Sequence, residues 1–436
     1  MEAQKIPPNH QTLIHPKKPR STHRIKALDL PPEITMEILL RLPVKSLLRF
    51  RSVSKSWLAL ISSSQFIKSH LGISSSSPIM ANHRLMLTIC NPNFDLKQCS
   101  IKSVFFDALT AASNIEYPKD DPYSAVWVVG SVNGLVCLAM DEKDMFLWNP
   151  ATRGHRKLPP VAIKLRQGFY YIWGFGRDEA DDDYKVVGIF CEFGNGGLHK
   201  STVMIYSLKA NSWKMIEDFK GGIPLDDTGK FAGGKLHFPA TPGLGDRRWD
   251  IVSLDLQNEA YGTVRQPEYR DGGMGSSLGV LGDCLCVVCD FEKVRTDVWV
   301  LREYGNEDSW CKVVTIPYVE DPRNFLHTKP LTVLPSGEVL LAVGLNLVVY
   351  DPKANCFRRP GMSNVGLFLE VDVYVESLVP VLSKATKPNA REQISCYSIN
   401  RKATVVCVKI DGAKAVCCCK EMYLLLPRSH VPVWKA

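Results

Sequence analysis

The feature that most constrains this chain is a unit repeated along its middle. Each copy has a glycine-led apolar strand, a turn, a strand ending in a polar turn, and a short apolar or aromatic strand. Gly134-Leu135-Val136-Cys137-Leu138 is followed by Phe146-Leu147-Trp148-Asn149-Pro150 and then Lys157-Leu158-Pro159. A second copy starts at Tyr184 without the glycine and ends at Asn211-Ser212-Trp213-Lys214. Further copies start at Gly234, Gly282 and Gly337, with a spacing of roughly 45 to 58 residues. One small twisted sheet cannot bury both of its faces, so several such sheets stack around an axis and leave only short edges. A β-sandwich with long loops would use similar strands. The repeated two-part unit favours a propeller.

Ahead of the repeats the hydrophobic period changes. From Leu28 to Leu71, Ile34, Ile38 and Leu42 recur every four residues, with Met36 and Leu39 widening the stripe, as on one face of a helix. Pro31 and Pro32 suit a first helical turn, whose amides have no partner within the helix. Pro43 ends that helix and starts a second one bearing Leu47, Leu48 and Phe50. Ser54 is placed to cap a third helix with Trp57, Leu58 and Ile61, and Ser64 to cap a last turn with Phe66, Ile67 and Leu71. A unit this small is near the size limit for independent folding. It also carries more large apolar side chains than so small a bundle hides. The leftover row either packs on the rest of the chain or meets another polypeptide.

Particular residues connect both halves to known families. Leu30-Pro31-Pro32-Glu33-Ile34, Ile38-Leu39, Leu42-Pro43, Leu47, Arg51, Val53, Lys55 and Trp57 together resemble an F-box. That is the module by which substrate receptors grip the Skp-family adaptor of a cullin-based ubiquitin ligase. The resemblance implies an adaptor interface of Leu30, Pro31, Ile34, Ile38, Leu42, Pro43, Leu47 and Val53, with Lys55 at its edge and Trp57 at its core. The repeats are similar to the F-box-associated domain found beside plant F-boxes, which is related to kelch-type propellers. Gly130-Ser131-Val132-Asn133-Gly134-Leu135-Val136-Cys137, Leu147-Trp148-Asn149-Pro150-Ala151-Thr152 and Trp173-Gly174-Phe175-Gly176 carry that likeness. Asp183-Tyr184-Lys185-Val186-Val187 and Tyr350-Asp351-Pro352 extend it, and Glu376-Ser377-Leu378-Val379 resembles the family's last strand. The double glycines of strict kelch blades are mostly missing.

The expected fold class is α+β multidomain, a small N-terminal three-helix F-box followed by a mainly β, propeller-like repeat domain. The expected divisions are a disordered basic segment at 1–26, the F-box at 27–72 and a serine-rich linker at 73–79. The propeller-like domain follows at 80–380, then a divergent basic extension at 381–436. In that extension, Cys396 to Cys407 and Met422 to Leu426 have the content of an extra hairpin.

Charge narrows the partners. The formal total is +8, but the first 26 residues carry +5, the helical module +3 and the segment from Lys384 onward +7. The middle is therefore acidic by about the same amount as that tail is basic, and nucleic acid is not an expected partner. Lys17-Lys18-Pro19-Arg20 reads as a solvated tail or a nuclear-import signal. The longest apolar run, Val339 to Tyr350, is interrupted by Gly344 and Asn346 and is too short to span a bilayer. No membrane partner is expected. With no secretory signal at the start, the expected location is the cytoplasm and/or the nucleus.

A search for chemistry yields no catalytic or metal-binding constellation and no cofactor motif. There is no nucleophile elbow, paired-histidine zinc motif or phosphate loop. The 14 cysteines show no regular spacing. Cys284, Cys286 and Cys289 read as a buried strand, since finger-like ligation needs a further Cys or His at suitable spacing. Gly272-Gly273-Met274-Gly275-Ser276-Ser277 reads as an inter-blade loop, Asp181-Asp182-Asp183 as a solvated turn, and His199 and His237 as structural. Trp148, Trp213 and Trp299 are expected in the core, whereas Trp173 and Trp249, beside glycine- or arginine-rich turns, are the expected client-binding positions on an exposed rim. The implied role is a non-catalytic substrate receptor joining the Skp-family adaptor, and through it a cullin scaffold, to a client protein. A propeller enzyme or small-ligand sensor is one alternative, and an F-box protein acting outside a ligase is another.

Overall fold

A computed structural model describes residues 31–381, apart from stretches at 91–93, 142–143, 164–168, 195–196, 244–245, 269–274, 292–293 and 319–327 and a few single positions, together with 406–410 and 413–417. The chain divides into two units, residues 1–39 and 40–436. Pro32–Leu40 is α1, opened by proline as expected, with the Thr35 amide donating to the Pro31 carbonyl at 3.0 Å.

The second unit begins with three more helices: α2 (Val44–Phe50), α3 (Lys55–Ile61) and α4 (Ser64–Ser75). Ser54 caps α3, its hydroxyl accepting from the Trp57 amide at 3.1 Å. The cap of α4 is Ser63 instead of Ser64, because it is Ser63 that accepts from the Phe66 amide, at 3.2 Å. The expected last turn is a 12-residue helix, so the helical region has four helices and not three. The serine run also begins inside α4 and not in a linker. Ser74 is buried, and its hydroxyl takes an amide hydrogen bond from Asn82 at 2.9 Å and lies against His70. A tertiary partner for that hydroxyl lets serine continue a helix that its own propensity would end.

Among the described residues, the rest of this unit through Val381 is a ring of six blades, each built on four antiparallel strands. Blade 2 (from Val126–Val132), blade 3 (from Phe169–Asp178), blade 4 (from Thr228–Ala232), blade 5 (from Gly275–Leu281) and blade 6 (from Thr328–Val333) each run outward in chain order. Blades 3 and 4 are also joined into one sheet by a short parallel pairing, Thr228 opposite Trp173. These five are the units legible in the sequence.

Blade 1 was not legible. Its inner strand is Phe368–Val375, paired antiparallel with His83–Cys90, Leu85 opposite Val373 and Leu87 opposite Val371. Neighbouring inner strands meet all the way round, including blade 6 to blade 1 and blade 1 to blade 2. The last strand of the ring is thus Phe368–Val375. Glu376–Val379 is a buried connection, held by Asn149, whose side-chain amide donates to the Ser377 and Val379 carbonyls at 3.1 and 2.8 Å. In the basic extension a hairpin pairs Val406–Ile410 with Ala413–Cys417; it overlaps one expected segment at its edge, while Met422 to Leu426 lie outside the described residues.

Local chemistry repeats with the blades. The turn after the third strand starts with a side-chain oxygen that accepts amides two or three residues on: Asn149 to Ala151 (2.9 Å), Asp255 to Gln257 (2.9 Å) and Asp351 to Lys353 (2.9 Å). Ser207 does the same to Ala210 at 3.0 Å. Four residues after each of these, the backbone is left-handed, at Arg153, Asn211, Glu259 and Asn355. Such Asx- and Ser-type turns reverse the chain without a ladder partner. Tyr206 and Tyr350 each donate to the asparagine at that position, Asn211 and Asn355, at 2.9 and 3.0 Å. An aromatic residue of the next strand packs on each: Trp213 lies tilted against Tyr206 and Phe357 stacks on Tyr350.

Apolar clusters fill the spaces between blades, and polar contacts stitch them. The indole of Trp213 donates to the Pro159 carbonyl at 2.7 Å and that of Trp310 to Arg265 at 2.8 Å, each reaching the segment that leaves the preceding blade. Between blades 4 and 5, Tyr304 lies against Gly233 and donates to His237 Nε2 at 2.6 Å, while His237 Nδ1 donates to the Lys230 carbonyl at 3.1 Å. His237 is fully buried, and burial drives its imidazole down to about 4, against the opposing effect of the Lys230 carbonyl.

Two stability measurements test this architecture. Gly134 and Gly234 share a left-handed backbone, at φ +79° and +75°, but a Cβ at Gly134 would strike Ser377 and come within 2.5 Å of the Val375 carbonyl, whereas the space at Gly234 is open. Gly234→Ala should cost about 1–2 kcal/mol, and Gly134→Ala roughly a further 1–3 kcal/mol from overpacking, read as shifts in urea midpoint. For His237 the unfolded chain takes up a proton below about pH 6.5, while the folded chain resists until about pH 4. Stability should therefore be complete above the unfolded value and fall as pH drops through this window. The loss from this group approaches about 1.4 kcal/mol per unit, and His237→Gln should flatten the profile.

Candidate functional site

The residues expected to face an adaptor fall on both units. In α1, Ile34 and Ile38 lie four residues apart on one helical face and are each 48% exposed, and Pro31 before them is exposed. Isoleucines this exposed at helical spacing form an apolar face that is uncovered among the described residues. Leu30 lies outside the described residues. In the second unit Pro43, Val53 and Lys55 are exposed, and Leu42 and Trp57 are half-buried. Trp57 meets Phe50 edge to face with ring centroids 5.5 Å apart.

Leu47 differs from the others. It is fully buried with Val44, Ile61 and Phe66, so its side chain supports the helices from inside and offers no surface. The buried His70 bonds the Leu42 carbonyl through Nε2 at 2.8 Å, tying the start of α2 to α4. Burial lowers the His70 pKa, against the opposing effect of the Leu42 carbonyl. Leu58, at 46% exposed, is an apolar surface residue that the periodicity had placed among the third helix's packing groups.

The propeller holds an axial channel of about 1740 Å³, lined by inner strands and by parts of the strands behind them. Its walls bring together charges that no spacing in the sequence announces. Lys329 Nζ donates to the Val371 carbonyl at 2.9 Å and to Asp372 at 3.0 Å. Enclosure by protein works against this ammonium, but Asp372, Glu370 and Asp226 outweigh it and hold its pKa above the ordinary value. Lys230 donates to Thr228 at 2.8 Å and lies 3.5 Å from Asp226. The signal for this belt was the position of each residue on or just before an inner strand, visible only once the ring is closed.

Of the two tryptophans expected on a rim, the structure separates the roles. Trp173 is a correction: it is 7% exposed, packed with Phe190, Trp213 and Phe175. Gly174 and Gly176, taken as a turn signal, lie within the strand Phe169–Asp178, where missing side chains admit Leu236, Phe231 and Leu256 from blade 4. Trp249 is half-buried and lines the channel.

Elsewhere, Cys286 and Cys289 are buried in the strand Cys284–Phe291, and Asp182 pairs with Arg177 and, at 2.9 Å, with Lys68. The side chain of His199 and the stretch Gly272–Met274 lie outside the described residues. Among the described residues no cluster of His, Cys, Asp and Glu is arranged to hold a metal, and no helix is long and apolar enough to cross a membrane.

Comparison with known proteins adds the following. Residues 79–375 match the F-box associated beta propeller domain, and residues 27–69 match the F-box domain. The chain is 35% identical over 330 residues to F-box protein CPR1 of Arabidopsis thaliana, covering 69% of this chain and 76% of that one. It is 31% identical over 362 residues to F-box/kelch-repeat protein At3g23880 of the same plant, covering 80% and 95%. A lectin of Aleuria aurantia aligns over 65% of this chain and 92% of its own at 11% identity, with a TM-score of 0.39.

The exposure pattern has a direct consequence. Ile34→Ala and Ile38→Ala should each move stability by no more than about 0.5 kcal/mol. Leu47→Ala should cost about 2–5 kcal/mol, so the melting temperatures of the three variants should separate the surface pair from the buried leucine.

Proposed function

This chain belongs to the F-box proteins that carry an F-box associated β-propeller domain, and we propose that it is a substrate-recognition subunit of a Skp–cullin–F-box ubiquitin ligase. The observation that carries the reading is the exposed apolar face of α1. Ile34 and Ile38 stand half in water on a helix whose sequence matches an adaptor-gripping module. Association with a Skp-family adaptor removes that surface from water, at about 25 cal/mol per Å². Pro31, Ile34, Ile38, Leu42, Pro43, Val53, Lys55 and Trp57 form the proposed contact set together with Leu30, while Leu47 stiffens it from within. Through the adaptor the receptor joins a cullin scaffold, in the cytoplasm and/or nucleus.

The receptor does no covalent chemistry in this reading. The propeller holds a client protein, and binding raises the effective concentration of the client's lysines beside the ubiquitin carrier. A rigid ring suits that task, because a tethered client is delivered only if the geometry between the two sites is kept.

The test is capture of a purified Skp-family adaptor. The double change Ile34→Ala with Ile38→Ala should leave the melting curve nearly intact yet weaken adaptor binding by about 2 kcal/mol or more, close to thirtyfold in Kd. Undiminished capture by this variant would remove α1 from the interface, and a folded wild-type chain that ignores the adaptor would end the receptor reading.

A further inference from the structure

A relay of hydrogen bonds through one buried histidine joins the start of α2 to the ring. His70 and Ser74 lie one turn apart on α4, and each is 1% exposed. His70 Nε2 is 2.8 Å from the Leu42 carbonyl, which can only accept, so this nitrogen carries the ring hydrogen. In the neutral ring Nδ1 is then an acceptor, and the Ser74 hydroxyl donates to it at 3.4 Å. The Ser74 oxygen in turn accepts from the Asn82 side-chain amide at 2.9 Å. Asn82 leads into the strand His83–Cys90, and its carbonyl accepts the Glu376 amide at 2.8 Å. The relay therefore runs from the Leu42–Pro43 corner through α4 to blade 1, and every hydrogen in it has a set direction.

The surroundings of the ring offer no counter-charge for an imidazolium. From residue 40 to residue 94 the chain has no Asp or Glu. The charged residues of the elements around His70 are Arg41, Lys45, Arg49 and Arg51 about α2, Lys55 of α3, Lys68 of α4 and Arg84 after Asn82, all of them cations. Two carboxylates reach these elements from the ring, and both are already paired. Asp182 is held by Lys68 and Arg177, and Glu376 by Arg84 at 3.1 Å. A proton added at Nδ1 would place a buried cation in a cationic neighbourhood. It would also point an N–H at an oxygen that already takes the Asn82 amide, and the Ser74 hydroxyl hydrogen would lose its acceptor.

We infer that His70 is an acid-released catch: neutral, it locks the Leu42–Pro43 corner to α4 and blade 1, and protonated, it lets that corner go. In the released form the imidazole takes up its proton near the ordinary value of about 6.5. In the closed form burial holds the value lower, against the Leu42 carbonyl. The seating is therefore complete above about pH 6.5 and is lost as pH falls below it, with a ceiling near tenfold per pH unit. Leu42 and Pro43 belong to the proposed adaptor contact set, so acid release should weaken adaptor binding. That consequence rests on the receptor reading above, and the catch itself does not.

The experiment follows amide hydrogen exchange of the full chain in peptides covering 44–50 and 64–75, at pH 7.5 and 5.5, with each rate referred to its intrinsic value at that pH. In the wild type the opening constant of these helices should rise by at least about threefold from pH 7.5 to 5.5. His70→Gln keeps an amide N–H for the Leu42 carbonyl and cannot titrate, so its response should stay within about twofold. His83→Gln removes the half-buried histidine next to Asn82 and should respond as the wild type does. Ser74→Ala should open more at pH 7.5 and still respond to acid, and it carries the test should the glutamine variant at 70 fail to fold. A flat wild-type response, an acid response that persists in His70→Gln, or one that disappears in His83→Gln would overturn the catch. The Kd for a purified Skp-family adaptor is read on the same proteins, as the ratio of wild type to His70→Gln at each pH, which cancels the adaptor's own titration. That ratio should rise by at least about threefold over the same range. An adaptor that binds none of the proteins at pH 7.5 counts against the receptor reading, while the exchange pattern alone decides the catch.

Discussion

The pairing of Phe368–Val375 with His83–Cys90 joins residues nearly 300 positions apart, and the rest of the propeller depends on it. Without that pairing, blade 1 is an outer fragment with an open edge, and blades 2 and 6 each lose a neighbour. An open sheet edge leaves backbone groups unpaired, and a row of blades leaves two apolar faces in water. Closure removes both problems at once. Its register is set by alternation: Leu85 and Leu87 on one strand and Val371 on the other share a cluster with Leu340 and Val349 of blade 6. A slip of one residue would turn that whole set outward. Gly134 and Asn149 secure the chain just beyond this strand, one by making room for it and the other by bonding its carbonyls.

A closed ring has consequences for α2–α4. Their last helix is seated against blades 2 and 3 by Ile67 and Leu71 and by the Lys68–Asp182 pair, so it is held by the propeller and not by a loose serine linker. An exposed ion pair of this kind contributes little energy by itself. The burial of Phe66, His70 and Ser74 makes the position definite.

Closure also creates the channel. Inner strands are the part of a propeller where side chains from every blade converge, and charges placed there interact across the axis instead of along the chain. Lys329 illustrates the point. Its ammonium is held by a carboxylate and a carbonyl of blade 1, and it feels Asp226 from blade 4. A belt of this kind is costly unless its members satisfy one another, and once satisfied it has a defined polarity that a ligand can read.

Sequence alone determined the elements and their chemistry. The 3.6-residue period before residue 72, the glycine-led strands at 134, 234, 282 and 337 and the Asn, Ser or Asp at the third-strand turns of blades 2, 3, 4 and 6 are local signals. Local signals survive in a linear text because their partners lie within a few residues. What the text could not fix were matters of partnership at long range. Blade 1 was missed because its strands lie at opposite ends of the domain. Ser74 read as linker because its partner, Asn82, lies beyond the helix. Trp173 read as rim because the glycines beside it signal a turn in isolation, whereas in the sheet they make room for blade 4. Leu47 read as surface because burial within a small bundle has no separate signature from burial against a partner. Tertiary structure decided these cases for one physical reason: what a side chain does depends on which groups end up beside it, and the chain's path round the ring sets those neighbours.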